Sequence, residues 1–248
     1  MVPTSICSVH NDSIKAALIC CFFSEAMNLA DIIFPRKCFG CGKNGYYLCP
    51  ECISKTKEPI QACPICNYDS PYGITHIRCR ELLGLDGRLS LWKYSRGVRK
   101  AIVGMKYKFA FEIAKELASY AASELKEKKI ALPRNPVVVP IPLYWHRQNW
   151  RGFNQSEEIG KMIAEKLGWD FDKNILTRKT SKKPQASLGR EERRTNIKGV
   201  FKVGKKISKN KQILLFDDVW TTGSTAKEAA RVLKEAGVKR VSCLTLAS

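Results

Sequence analysis

The chain lacks any long apolar run: the longest, Ala16–Phe23, has eight residues, against the roughly 20 that a membrane-spanning helix needs. Only Lys15 precedes that run and no small-residue cleavage site follows it, so neither a spanning segment nor a signal peptide is expected. The pattern Gly-x-x-x-x-Gly-Lys-Ser/Thr is absent, which excludes a lysine-bearing phosphate loop. Tandem repeats and low-complexity tracts are absent too. The cysteine count is 11, an odd number, so a fully paired disulfide framework is excluded and a reducing, cytoplasmic setting is the expectation. Acidic residues are the scarcer charge, 23 against 43 Lys plus Arg, leaving a net charge of +20. Such an excess implies polyanionic company: phosphorylated metabolites, nucleic acid or an acidic surface. Hydrophobic residues at 44% are enough for a buried core across the 248 residues.

What is present divides unevenly along the chain. Six cysteines lie between Cys38 and Cys66, and Cys79 follows. Residues 1–83 hold 8 Lys/Arg and 7 Asp/Glu, whereas residues 84–248 hold 35 and 16. The turn-rich stretch Gly84-Leu85-Asp86-Gly87 marks the expected boundary. The division predicted is an N-terminal, partly helical extension (1–30), a cysteine-rich module (31–83) and a basic domain (84–248).

The basic domain alternates between strand and helix patterns. Leu89–Tyr94 reads as a strand, and Ile113, Leu117, Tyr120, Ala121 and Leu125 recur at helical spacing within Phe111–Lys126. The β-branched run Val137-Val138-Val139 suits a buried parallel strand. Ser156–Leu167 reads as a helix with Ser156 as its N-cap and Gly168 at its end. Ile213–Phe216 reads as a strand, Thr225–Ala236 as a helix closed by Gly237, and Val241–Leu246 as a last strand. Apolar strands alternating with helices predict an α/β fold with a parallel sheet.

The sharpest signal is Asp217-Asp218-Val219-Trp220-Thr221-Thr222-Gly223-Ser224-Thr225, between a strand and a helix. Ligands of open α/β sheets sit beyond the carboxyl ends of the strands, where this segment must lie. Free backbone N–H groups, hydroxyls and the positive end of a helix suit a phosphate, and Gly223 permits close approach. Asp217 and Asp218 would repel that phosphate but accept hydrogen bonds from vicinal hydroxyls such as those of a ribose. An ordinary helix start capped by Asp218 or Ser224 is the alternative, and it leaves the paired acids unexplained.

The cysteines fall into four pairs of equal spacing: Cys38/Cys41, Cys49/Cys52, Cys63/Cys66 and His76/Cys79. Zinc takes four N/S ligands in a tetrahedron, so eight ligands imply two structural zinc ions. A redox dithiol would need only one such pair. Spacing alone allows the pairs to combine sequentially or in interleaved fashion. Cys7, Cys20, Cys21 and Cys243 read as small hydrophobes or free thiols.

Phe216–Thr225 resembles the ribose-5-phosphate signature of type I phosphoribosyltransferases, which bind 5-phosphoribosyl 1-diphosphate (PRPP). Val138-Val139-Pro140-Ile141-Pro142, Arg147, Arg151-Gly152-Phe153-Asn154-Gln155-Ser156, Thr180 with Gln185, and Arg193-Arg194-Thr195-Asn196 resemble one branch, the ComF family of competence-related proteins. Lys106 matches a lysine typical of that family. The resemblance implies an α/β phosphoribosyltransferase-like domain behind a double zinc ribbon whose ligand pairs combine sequentially. His76 departs from the all-cysteine pattern of such ribbons. Asp217 and Asp218 would hold the ribose hydroxyls, and Thr221, Thr222, Gly223, Ser224 and Thr225 the 5-phosphate. Arg147 and Arg151 would lie near the diphosphate, and Arg178–Arg194, with Lys182, Lys183 and Arg190, would form a loop closing over PRPP and Mg²⁺. Residues 173–211 hold 14 Lys/Arg and 2 acids, a charge suited to a diphosphate leaving group, although a solvated basic loop accounts for it as well. Acceptor contacts would come from a variable hood around residues 85–110. Transfer of phosphoribose to an acceptor is one function the resemblance implies. PRPP sensing or handling of single-stranded DNA in the uptake machinery is the other. All the motifs assigned to PRPP lie beyond Tyr94, so the sequence reading expects this site to work without the cysteine module.

Overall fold

The computed structural model describes residues 35–80, 83–105, 110–127, 132–133, 135–143, 154–179, 198–208 and 210–248. The N-terminal extension, Lys106 and the motif residues Thr180, Gln185 and Arg193–Asn196 lie outside them. Among the described residues no helix is long and apolar enough to cross a membrane.

Five parallel strands form the sheet, in the order β1-β7-β6-β2-β3: β1 (Gly87–Trp92), β2 (Val137–Pro140), β3 (Asp170–Phe171), β6 (Gln212–Val219) and β7 (Arg240–Ala247). A separate antiparallel pair joins β4 (Leu176–Arg178) to β5 (Phe201–Val203). The helices are α1 (Pro50–Ser54), α2 (Arg96–Gly104), α3 (Ala110–Glu127), α4 (Gln155–Leu167) and α5 (Ser224–Glu235).

Alternation along the strands separates two cores. Leu89, Leu91, Val138, Leu214, Phe216, Leu244 and Leu246 face α2, α3 and α4 on one side. Val137, Val139, Ile213, Leu215, Val241 and Cys243 face α5 and the β4–β5 pair on the other. Both faces are therefore covered, which is why the strands read as continuous apolar runs instead of alternating ones. Ile113, Leu117, Tyr120, Ala121 and Leu125 of α3 are all buried, as their spacing predicts.

Element ends differ from the sequence reading in instructive ways. The first strand is shifted, Gly87–Trp92 in place of Leu89–Tyr94, because its partner β7 stops at Ala247, opposite Trp92. β6 continues through both acids to Val219, since β7 supplies partners as far as Ala247. Helix α4 begins one residue early and its cap is Asn154, not Ser156: the Asn154 side chain accepts from the Ser156 N–H. Gly168 ends that helix at φ 66°, in the left-handed conformation glycine tolerates best.

The cysteine module is not a separate bead. Tyr47, Leu48 and Ile53 belong to the same buried cluster as α2, α3 and α4. Each fully buried leucine contributes roughly 1.5–3 kcal/mol, so this seam is strongly held. Glu116 of α3 seals it, its carboxylate accepting from the N–H groups of Tyr47 (3.1 Å) and Leu48 (2.5 Å). Burial pushes this carboxyl up to about 7, while the two backbone donors pull it the other way. The segment 85–110, expected to form a hood over an acceptor, supplies the edge strand β1 and helix α2. Val98, Ala101 and Ile102 of α2 are buried in the core.

Candidate functional site

The sheet has a switch point between β2 and β6. From β2 the chain crosses through α4 to β3 on one side; from β6 it crosses through α5 to β7 on the other. The crevice beyond the carboxyl ends of two such strands is the usual ligand position in open α/β sheets. Pro140 pairs with Phe216, and the Ile141 N–H donates to the Phe216 carbonyl at 2.9 Å. The Pro140-Ile141-Pro142 turn and the paired acids therefore lie side by side at that crevice.

Asp217 and Asp218 sit in the last turn-out of β6, half-buried, and Thr221 and Thr222 are exposed beyond them. Gly223 is the N-cap of α5 at φ 70° and has no side chain to cap it, while the Ser224 N–H donates to Thr222 Oγ1 at 3.4 Å. Neither Asp218 nor Ser224 supplies a cap bond, so the alternative that made one of them the cap is corrected. Thr222 Oγ1 and Ser224 Oγ lie 2.8 Å apart, so their hydroxyls share one edge of the turn. A Cβ at Gly223 would stand 2.1 Å from the Trp220 ring, which makes glycine obligatory on packing as well as conformation. Trp220 is buried, so its indole is the floor on which the turn rests.

Asp217 is held from two directions. Ser156 Oγ donates to its Oδ1 at 3.1 Å, and the Asp218 N–H donates to the same atom at 3.0 Å. Burial first, and the neighbouring Asp218 second, push the Asp217 carboxyl up to about 8, against the pull of both donors. Asn154 adds a third tie, its Nδ2 donating to the Ile141 carbonyl at 3.2 Å. One short segment, Asn154 to Ser156, thus fastens the β2 turn, the start of α4 and the β6 acids together. The sequence reading gave Asn154 no role beyond a family motif and made Ser156 only a helix cap; an amide and a hydroxyl just before a helix were the available signal. Trp220 and Arg88 were missed because their contact joins residues far apart in the chain. Arg147, Arg151, Lys182, Lys183 and Arg190 lie outside the described residues.

The cysteines gather as two groups, Cys38/Cys41/Cys49/Cys52 and Cys63/Cys66/His76/Cys79, each with its ligand atoms within 4.8 Å of one another. Pairing is therefore sequential. A tetrahedron with metal–sulfur bonds of about 2.3 Å places its sulfurs roughly 3.8 Å apart, and Cys41 Sγ and Cys49 Sγ are separated by 3.6 Å. His76 fits the second group: Nε2 lies 3.0 Å from the Asp69 carbonyl, and as the donor there it leaves Nδ1 free, 3.4 Å from Cys66 Sγ. Burial raises the Cys38 thiol, but the N–H groups of Cys49, Cys41 and Gly40 outweigh it and bring the group down to about 6. Cys63 follows the same pattern and reaches about 7. Burial and crowding by the other sulfurs push Cys52 upward, and the thiols beside it hold Cys79 up at about 11. Crowded sulfurs, four in the first group and three beside an imidazole in the second, cannot all ionise unaided; a divalent cation resolves that repulsion, so both donor sets fit a metal ion.

The two groups also share a fold that the sequence showed only as spacing. Gly42 N–H donates to the Cys38 carbonyl at φ 81°, and Asn67 N–H donates to the Cys63 carbonyl at φ 62°. Lys37 bridges Asn44 and Ala62 bridges Asp69 in the same antiparallel sense. Each group is one copy of the same knuckle.

A parallel sheet with its acidic strand end, hydroxyl-bearing turn and flanking cysteine knuckles defines a phosphoribosyltransferase-type domain with an attached module of zinc-ribbon type. Residues 154–248 match the family model described as the phosphoribosyl transferase domain. Competence protein ComFC of Streptococcus pneumoniae is 31% identical over 205 residues, covering 80% of this chain and 86% of that protein. The DNA utilization protein YhgH of Salmonella typhi is 29% identical over 210 residues, covering 80% and 91%. Competence protein F of Haemophilus influenzae is 28% identical over 220 residues, covering 85% and 89%. The chain belongs to the ComF family.

Proposed function

We propose that the protein binds PRPP with Mg²⁺ at the β2–β6 crevice and transfers its phosphoribosyl group to an acceptor nucleophile in the cytoplasm, in the context of DNA uptake. The observation that carries this reading is the β6–α5 turn: paired acids, a helix start edged by the Thr222 and Ser224 hydroxyls, and a glycine seated on a buried indole. Asp217 and Asp218 accept from the ribose hydroxyls, and the turn from Thr221 to Thr225 takes the 5-phosphate through backbone N–H groups and hydroxyls. The adjacent Pro140-Ile141-Pro142 turn faces the diphosphate, with Arg147, Arg151, Lys182, Lys183 and Arg190 supplying positive charge. Bound with PRPP, Mg²⁺ neutralises charge on the departing diphosphate. The reaction at C1 passes through an oxocarbenium-like state, so the chain's own contribution is positioning and electrostatics. Zinc in the two knuckles, held by Cys38, Cys41, Cys49 and Cys52 and by Cys63, Cys66, His76 and Cys79, is structural.

A second reading keeps PRPP binding without turnover and makes the protein a sensor or a handler of single-stranded DNA. The charge of residues 84–248, 35 basic against 16 acidic, supports it, as do the relatives' names. Incubation with PRPP, Mg²⁺ and fractionated cell metabolites, followed by mass spectrometry, separates the two. Diphosphate release dependent on one added fraction supports transfer; binding without release under any fraction supports the sensor.

A further inference from the structure

The second knuckle reaches the phosphate-facing turn through a chain of direct contacts. Arg88 lies on β1, and its Nε donates to the carbonyl of Ala62, the residue before Cys63, at 3.0 Å. Its guanidinium lies 4.8 Å from the centroid of the Trp220 ring. That ring fills the space beneath Gly223, where a Cβ would meet it at 2.1 Å. The backbone of Arg88 is gripped as well: a Cβ at Gly73, between Cys66 and His76 in the chain, would fall 1.8 Å from the Arg88 carbonyl oxygen. Burial lowers the Arg88 pKa, so the cation is kept from water at this junction at some cost.

We propose that Arg88 is a positioning residue that couples the second metal knuckle to the turn Trp220–Thr225. A metal on Cys63, Cys66, His76 and Cys79 fixes the Ala62 carbonyl; that carbonyl and the Trp220 face orient the guanidinium; the indole then holds Gly223 and the donors around it. Loss of the metal frees Arg88, loosens the indole floor and spreads the donors of the turn. The consequence for sugar-phosphate affinity rests on the function proposed above. The mechanical tie does not.

The test is hydrogen–deuterium exchange on the full chain, with zinc stoichiometry measured in parallel, for the parent, R88M, R88K, C66S and the R88M/C66S double variant. R88M keeps length and apolar packing but loses both the hydrogen bond and the cation over the ring, interactions whose joint loss should speed exchange in residues 220–225 about tenfold. C66S should lose one zinc and produce a similar increase. The double variant should be no faster than the faster single variant, and R88K should restore most of the protection. Peptides from α4 should exchange as in the parent, which separates this tie from general destabilisation. Unchanged exchange in residues 220–225 of C66S, or effects that multiply in the double variant, would overturn the proposal. Calorimetry with PRPP and Mg²⁺ on the same variants reads the functional consequence. A parent that binds no PRPP refutes the proposed function while exchange still decides the tie.

Discussion

The two knuckles share their hydrogen bonds and differ in how they are fastened. The first is built into the core: Leu48 is 1% exposed, and Glu116 binds the backbone beside it. The second stands at the surface, with Tyr68 78% and Ile77 84% exposed, and is attached by polar ties. Gln61 acts as a strand substitute for β1, its Nε2 donating to the Ser90 carbonyl at 2.8 Å and its Oε1 accepting from the Ser90 N–H at 3.2 Å. Thr75 Oγ1 donates to the Leu85 carbonyl, and Arg88 reaches Ala62. Apolar burial makes the first knuckle part of the folding unit. Directional polar contacts let the second transmit position at less expense of stability. Equal ligand spacing therefore does not mean equal roles.

The largest effect expected from this contrast is on folding itself. Replacing Cys49 with Ser should abolish cooperative unfolding, because metal-ligand energy and core packing are lost together. His76→Ala should lose one zinc and retain a cooperative transition. Thermal unfolding followed by circular dichroism checks both, and equal losses from the two would erase the distinction. Next in size is Gly73→Ala, which places a Cβ against the Arg88 carbonyl at a residue with φ 69°. Left-handed strain alone costs about 1–2 kcal/mol, so denaturant unfolding should show a loss beyond that, with increased proteolysis within residues 60–80. Glu116→Gln should follow, at about 1–3 kcal/mol, since an amide oxygen replaces a carboxylate that satisfied two buried N–H groups. That loss should appear with both zinc ions retained.

The last effect is a pH slope. Asp217 in the folded protein has its carboxyl raised to about 8 by burial and by Asp218, above the unfolded value of about 3.9. Its contribution to stability is thus complete below the unfolded pKa and is lost as pH rises through the folded one. Glu116, raised to about 7, acts in the same direction. The urea midpoint should fall between about pH 4 and about pH 8, and D217N should flatten that fall, most visibly above about pH 7.

Much of this architecture was legible because its signals are local. β-branched and apolar runs located β2, β6 and β7, and the helical spacing of Ile113 to Leu125 located α3. Element ends were less legible because a partner decides them: β6 extends to Val219 only because β7 lies beside it, and Asn154 displaces Ser156 as cap through backbone geometry. Ligand spacing identified the knuckle residues but not their combination, which the fold decides. Nor did it show that one knuckle joins the main core. How the cysteine module attaches to the domain that bears the site was the least legible feature. The motifs do lie beyond Tyr94, yet their packing runs back to Leu48 and Ala62. Contacts such as Arg88 with Trp220 leave no pattern in a linear sequence.

The central claim is that the end of β6 recognises a phosphorylated ribose, and calorimetry of the full chain with PRPP and Mg²⁺ tests it most directly. The D217N/D218N variant keeps side-chain shape but weakens charge-assisted acceptance from the ribose hydroxyls, so it should bind about tenfold or more weakly. Its affinity for single-stranded DNA at the same salt should be unchanged or slightly higher, since two negative charges are gone. An intact PRPP affinity in that variant, with circular dichroism showing it folded, would contradict the account and leave the turn as no more than the start of a helix.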